Sequence, residues 1–194
     1  MYLGLHPGSV YCTRSADEVW HEDCIIPTFT KSPVRVMVWG CIMYGRKGPL
    51  IVLEYLGGKG GGMTAKRYIE QVLEGYLLDF YRKIRRRNRS VTFQQDNARC
   101  HTAKSTRTWF QQHAISLFPH PPSSPDINAI EPCWLDLKRN IWARRHPPTS
   151  LAELRKAVIE AWDEIPIKKV NNYILSIPRR AKAIIESHGG PTRY

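Results

Sequence analysis

"TFQQDNARCHTAK", residues 92–104, is the stretch on which the fold turns. Residues 91–96 read as a short strand that ends in Asp96, and His101 and Lys104 follow within one or two helical turns. A carboxylate at the mouth of a strand, in a chain this basic, has two readings. One is a surface turn; the other is a metal-binding aspartate that faces a phosphate backbone.

The 194 residues suffice for one domain with a real core, and an apolar content of 42% with six Trp excludes a disordered chain. Lys and Arg total 29 against 17 acidic residues, a formal charge of +12, which favours a polyanionic partner such as nucleic acid. No apolar run is long enough to cross a membrane. The opening residues have neither a charged n-region nor a long apolar stretch, so no signal peptide is expected. The five cysteines, Cys12, Cys24, Cys41, Cys100 and Cys133, form no C-x-x-C pair; they read as reduced thiols in an intracellular protein, not as a zinc module.

Along the chain, 9–14 reads as a short strand, and 34–45 with 50–56 as a hairpin turned by "RKGP". The glycine cluster 57–62 is loop, and without a following Gly-Lys-Ser/Thr it is no phosphate-cradling loop. Thr64 caps a helix whose apolar face includes Tyr68, Val72, Leu73, Leu77 and Ile84. That helix ends in "RKIRRRNR" (82–89), either a solvated helix end or a phosphate-contacting patch. Helices are predicted over 102–114, with Thr102 as cap, over 128–144, over 149–165 with Ser150 and Glu153 capping, and over 167–187. A strand at 115 and a Pro- and Ser-rich loop to 128 separate the first two. This order predicts a mixed α/β domain.

Asp96 ends a strand and Glu131 opens a helix, with residues 97–130 between them. Two carboxylates brought together this way bind hard cations such as Mg²⁺ or Mn²⁺ through oxygen, which lets a phosphate approach them. Spacing alone equally fits a turn aspartate and a helix-N-terminal glutamate. Asp126 and Asn128 are expected to shape the loop and cap the Glu131 helix. Trp39, Trp109, Trp134 and Trp142 read as core.

"VMVWGCI" (36–42), "QQDNARCHTA" (94–103), "SPDINAIEPCWLDLKR" (124–139) and "IPRRAKAIIESHGGPTRY" (177–194) together resemble the catalytic domain of mariner-like transposases, of the DDE class with a ribonuclease H-like fold. In that family a strand ends in an aspartate followed by Asn and then His, matched here by Asp96, Asn97 and His101. A Ser-Pro-Asp-x-Asn-x-x-Glu motif is matched by Ser124, Pro125, Asp126, Asn128 and Glu131. The resemblance runs from about Val10 to Tyr194 and treats the chain as one catalytic domain. It implies an α/β, ribonuclease H-like mixed sheet flanked by helices. Asp96 and Glu131 become the catalytic, metal-binding residues for Mg²⁺ or Mn²⁺. DNA, as transposon ends and target, becomes the substrate, contacted by Asn97, His101, Lys104, Lys138 and Arg139. A homodimer and a nuclear location also follow from it, and no membrane partner.

One departure stands out. The family's first catalytic aspartate lies on an opening strand upstream of the segment matching 9–14, and the N-terminal helix-turn-helix region has no counterpart here. The expectation is therefore a first strand missing or incomplete, from a truncated copy or a gene model begun at an internal methionine. It follows that the strand at 34–45 exposes unpaired backbone, that stability falls and that catalysis is impaired. The alternative is a non-catalytic DNA-binding remnant or a domesticated interaction module.

Overall fold

The computed structural model describes residues 2–4, 35–54, 62–88, 90–122 and 124–188. The expected strand at 9–14 and nearly all of the glycine cluster lie outside them. The central element is β2 (Arg35–Met43), which pairs antiparallel with β3 (Arg46–Leu53) on one edge. On its other edge it pairs antiparallel with β1 (Tyr2–Gly4), Tyr2 opposite Met37 and Gly4 opposite Arg35. The strand that the sequence leaves unpaired is thus covered over its first three residues, and the opening strand is present in part. A second sheet pairs β4 (Thr92–Gln94) in parallel with β5 (Ser116–Phe118).

Alternation along β2 builds two cores, because successive side chains leave a strand on opposite faces. Val36 and Val38 pack with Cys133, Trp134 and Leu137 of α3 (Glu131–Trp142), with Leu154 and Trp162 of α4 (Leu151–Glu164), and with Val170 of α5 (Ile167–Leu175). Met37 faces the other way, joining Ile51 and Leu53 of β3. These pack on the long helix α1 (residues 65–85) and on Trp109 and Phe110 of α2 (Lys104–Gln112). Trp39 packs against this second core as well. Each fully buried aliphatic or aromatic side chain stabilises by about 1.5–3 kcal/mol.

The hairpin turns at Tyr44–Gly45, not at "RKGP", because Gly45 takes the left-handed conformation (φ 79°) that a tight turn needs. Residues 46–49 instead belong to β3. There the register shifts, so that Gly48 and Pro49 oppose Cys41 alone. This bulge accommodates a proline inside a strand. A Cβ on Gly48 would collide with the Cys41 Sγ, so only glycine fits. Lys47 Nζ donates to the carbonyls of Trp162 (2.6 Å), Asp163 (3.0 Å) and Ile165 (2.7 Å), capping the C-terminal end of α4 from β3.

Thr64 caps α1 as expected, its hydroxyl accepting from Arg67 N (3.3 Å). The middle of α1, Ile69–Leu77, is π-helical. Its buried residues Tyr68, Val72, Leu77 and Tyr81 are spaced by four and five, and the wider turn keeps them on one line. Ser150 caps α4 through Glu153 N, while the Glu153 carboxylate accepts from Thr149 N (2.8 Å). Thr102 caps nothing: its hydroxyl donates to the Ala98 carbonyl, and Ala103 is extended, so α2 starts at Lys104. The last predicted helix is two, α5 and α6 (Ile177–Glu186), with Ser176 between them and Pro178 in the first turn of the second.

One buried carboxylate fixes α3. Asp136 accepts from Tyr173 Oη (2.6 Å) and Lys169 Nζ (2.7 Å) of α5, and from Arg139 Nη1 (3.3 Å). Replacing Asp136 by Ala leaves Lys169 and the Tyr173 hydroxyl without this acceptor; we expect a loss of about 2–3 kcal/mol in urea unfolding, most of it restored by Asn.

Candidate functional site

Asp96 follows β4 by two residues, where the chain leaves the sheet. Its Oδ1 accepts from Ala98 N (3.0 Å), an Asx turn that starts the short helix Arg99–Thr102. The same oxygen accepts from His101 Nδ1 (2.6 Å). The His101 ring lies 4.4 Å from that of Tyr68, a buried residue of α1 whose hydroxyl donates to Gln95 Oε1 (2.8 Å). The carboxylate is therefore oriented by a histidine that the second core holds in place.

Electrostatics follow this geometry. The hydrogen bond from His101 holds the Asp96 carboxyl down at about 2, against burial, which raises it. Burial lowers His101, but its hydrogen bonds to Asp96 and Cys100 prevail and carry it up to about 9. Near neutral pH the pair is imidazolium and carboxylate, and Oδ2 points to no donor among the described residues.

Glu131 opens α3, and Asn128 Nδ2 donates to its Oε1 (3.3 Å). Burial and then repulsion from Asp96 raise its carboxyl above the usual range, while the chain's α-amino group, Lys138 and His120 pull the other way. The repulsion places the two carboxylates within electrostatic reach of each other across the 97–130 segment. Both border one cavity of about 640 Å³, together with His101 and Asn128. Oxygen donors that repel one another are what a divalent cation neutralises, so the pair fits a hard metal ion. Among the described residues no third His, Cys, Asp or Glu completes a cluster.

The remaining sequence candidates divide. Asn97 Nδ2 donates to the His120 carbonyl (2.9 Å) and so pins the proline-rich loop. Gln94 holds the same loop at the His120 ring (2.9 Å) and the Ile127 carbonyl (3.3 Å). Lys104 and Lys138 are exposed. Arg139 and Arg144 are engaged inside the chain, Arg139 with Asp136 (3.3 Å) and Arg144 with Glu160 (2.7 Å) and Glu164 (3.3 Å). Asn128, not Asp126, touches the start of α3; the Asp126 carbonyl accepts from Arg180 Nη1 (3.2 Å). Trp109 and Trp134 are core. Sequence reasoning missed Tyr68, Gln95 and His120 as site residues, and only the helical periodicity around Tyr68 offered any signal.

A family model described as DDE superfamily endonuclease matches residues 34–155. The Tcb1 transposase of Caenorhabditis briggsae is 36% identical over 170 residues, covering 87% of this chain and 58% of that protein. The Tc1 transposase of Caenorhabditis elegans is 33% identical over 169 residues, with the same shares. The chain thus spans about half the length of the curated relatives it matches. The fold matches the ribonuclease H-like catalytic domain of Mos1 mariner transposase at a TM-score of 0.68 and 20% identity, covering 85% of this chain and 79% of that one. The Mos1 strand transfer complex matches at 0.70 and 18%, covering 100% and 54%.

Because His101 sits at about 9 in the folded chain, against an ordinary 6.5, its share of stability is fully present below pH 6.5 and is lost as pH rises to about 9. Asp96, depressed from 3.8 to about 2, loses its share only as pH falls from 3.8 towards 2. Metal-free protein should therefore weaken in urea between pH 6.5 and 9, and His101→Ala should flatten that slope. A His101 imidazole signal titrating near 6.5 by NMR would contradict it.

Proposed function

Since the chain belongs to the DDE superfamily endonuclease family, we propose that it is the catalytic domain of a Tc1/mariner-type transposase that cuts and joins DNA strands with Mg²⁺ or Mn²⁺ held by Asp96 and Glu131. The observation that carries this reading is the meeting of these two carboxylates, one at the end of β4 and one at the start of α3, on the rim of one cavity. Related Mos1 structures contain Mg and Mn, and another is a paired-end complex with the left transposon end. A divalent cation supplies activation of a water or 3′-hydroxyl and neutralisation of the leaving oxygen. The chain's own part is positional. His101 fixes the Asp96 carboxylate, Asn128 orients Glu131, and the exposed Lys104 and Lys138 neutralise phosphates beside them. DNA pairing by two copies and a nuclear location belong to the same proposal.

One observation favours a second reading, DNA binding without cleavage: among the described residues only two acidic groups face the site. Two carboxylates hold a cation less firmly than three.

Mn²⁺ titration followed by electron paramagnetic resonance separates these readings. We expect Asp96→Ala and Glu131→Ala each to weaken binding by ~10-fold or more, as loss of a ligand does. Equal binding by wild type and both variants removes the pair from metal binding. Bound Mn²⁺ with no nicking of supercoiled DNA supports the second reading. In DNA-binding anisotropy, Lys138→Ala should reduce the slope of log K against log salt by about 1 without changing sequence preference.

A further inference from the structure

Two bare strand edges face each other across the molecule. On one edge of β2 the ladder with β3 runs from Met37 to Met43, but on the other edge β1 reaches only Arg35–Met37. β4 pairs with β5 on one side. The cavity of about 640 Å³ lies between the remaining edges: residues 38–44 of the hairpin line it, and so do residues 91–96 around β4. Phe80 and Tyr81 of α1 close it on one face, Trp134 and Ile174 on the other. It is a strand-shaped slot with an apolar core above and below.

The direction of β1 aims into this slot. The register that sets Tyr2 opposite Met37 and Gly4 opposite Arg35 carries any extension of that line past Val38, Trp39 and Gly40. Positions opposite Val38 and Gly40 share the face of the first core, and positions opposite Trp39 that of the second, so an occupant must be apolar on both faces. Neighbouring strands lie about 4.8 Å apart, so one strand between β2 and β4 would join the two sheets into one.

We propose that this slot is a strand-acceptor site: it takes an extended peptide segment, apolar on both faces, that pairs antiparallel with β2 beyond β1 and closes against β4. The main chain supplies affinity through ladder hydrogen bonds, and the alternating walls supply selectivity. The site needs no metal and stands apart from the phosphoryl-transfer reading, although Asp96 and Glu131 border the same cavity.

The test uses the whole chain and two capped peptides, each with a core of alternating Val and Ile and a Ser-Lys pair at either end. One has an ordinary backbone; the other is N-methylated at alternate residues, which keeps the side chains and deletes ladder donors. We expect the first to raise Tm and to slow amide exchange in residues 39–43 and 92–95 by ~10-fold or more, and the second to do neither. Equal effects from both peptides, or no protection at either edge, overturn the proposal. So does a dimer, seen by sedimentation, that protects the same amides and resists the peptide; it would assign the edges to a second copy.

Discussion

Everything in this domain hangs on β2 being buried on both faces. A strand with solvent on one side needs apolar residues only at alternate positions. Here Val36 and Val38 serve one core while Met37 and Trp39 serve the other, so the whole run is apolar. That single strand orients α1 and α2 on one side and α3, α4 and α5 on the other. The carboxylates inherit their positions from it. Asp96 leaves the sheet beside the second core, and Glu131 enters α3 against the first.

The site is a problem in charge. A chain at +12 attracts polyanions, yet its cavity rim carries two carboxylates that repel each other. Their treatment is unequal. Asp96 is held ionised by an imidazolium at 2.6 Å, whereas Glu131 is pushed towards protonation by burial and by Asp96 itself. Such divergence between neighbouring acids marks a place where the protein has spent stability on electrostatics rather than packing. The same restraint extends outward through Tyr68 and Gln95 on one side and Asn97 and His120 on the other.

Much of this was legible in the sequence, for identifiable reasons. β2 and β3 declared themselves by composition, α4 by its caps, and Asp96 and Glu131 by motif and by resemblance. Turns and ends were harder. "RKGP" looks like a turn by composition, but the left-handed Gly45 two residues earlier makes the reversal and the proline is absorbed by a bulge. Thr102 looks like a cap, but Ala103 breaks the backbone path. The π-helical stretch is invisible to a periodicity tuned to the α-helix. His120 and Asp136 act through residues far along the chain, and no local pattern reports such contacts.

The bulge on β3 has an effect at a distance from its own ladder. Pro49 removes a donor from that strand's outer margin, and the Lys47 ammonium, spread over three carbonyls at the end of α4, seals the same margin to the helical layer. The molecule is thereby one-sided as a building block. Growth by backbone pairing is discouraged at this flank, so stacking of molecules into indefinite fibres has no matching pair of free margins to propagate through.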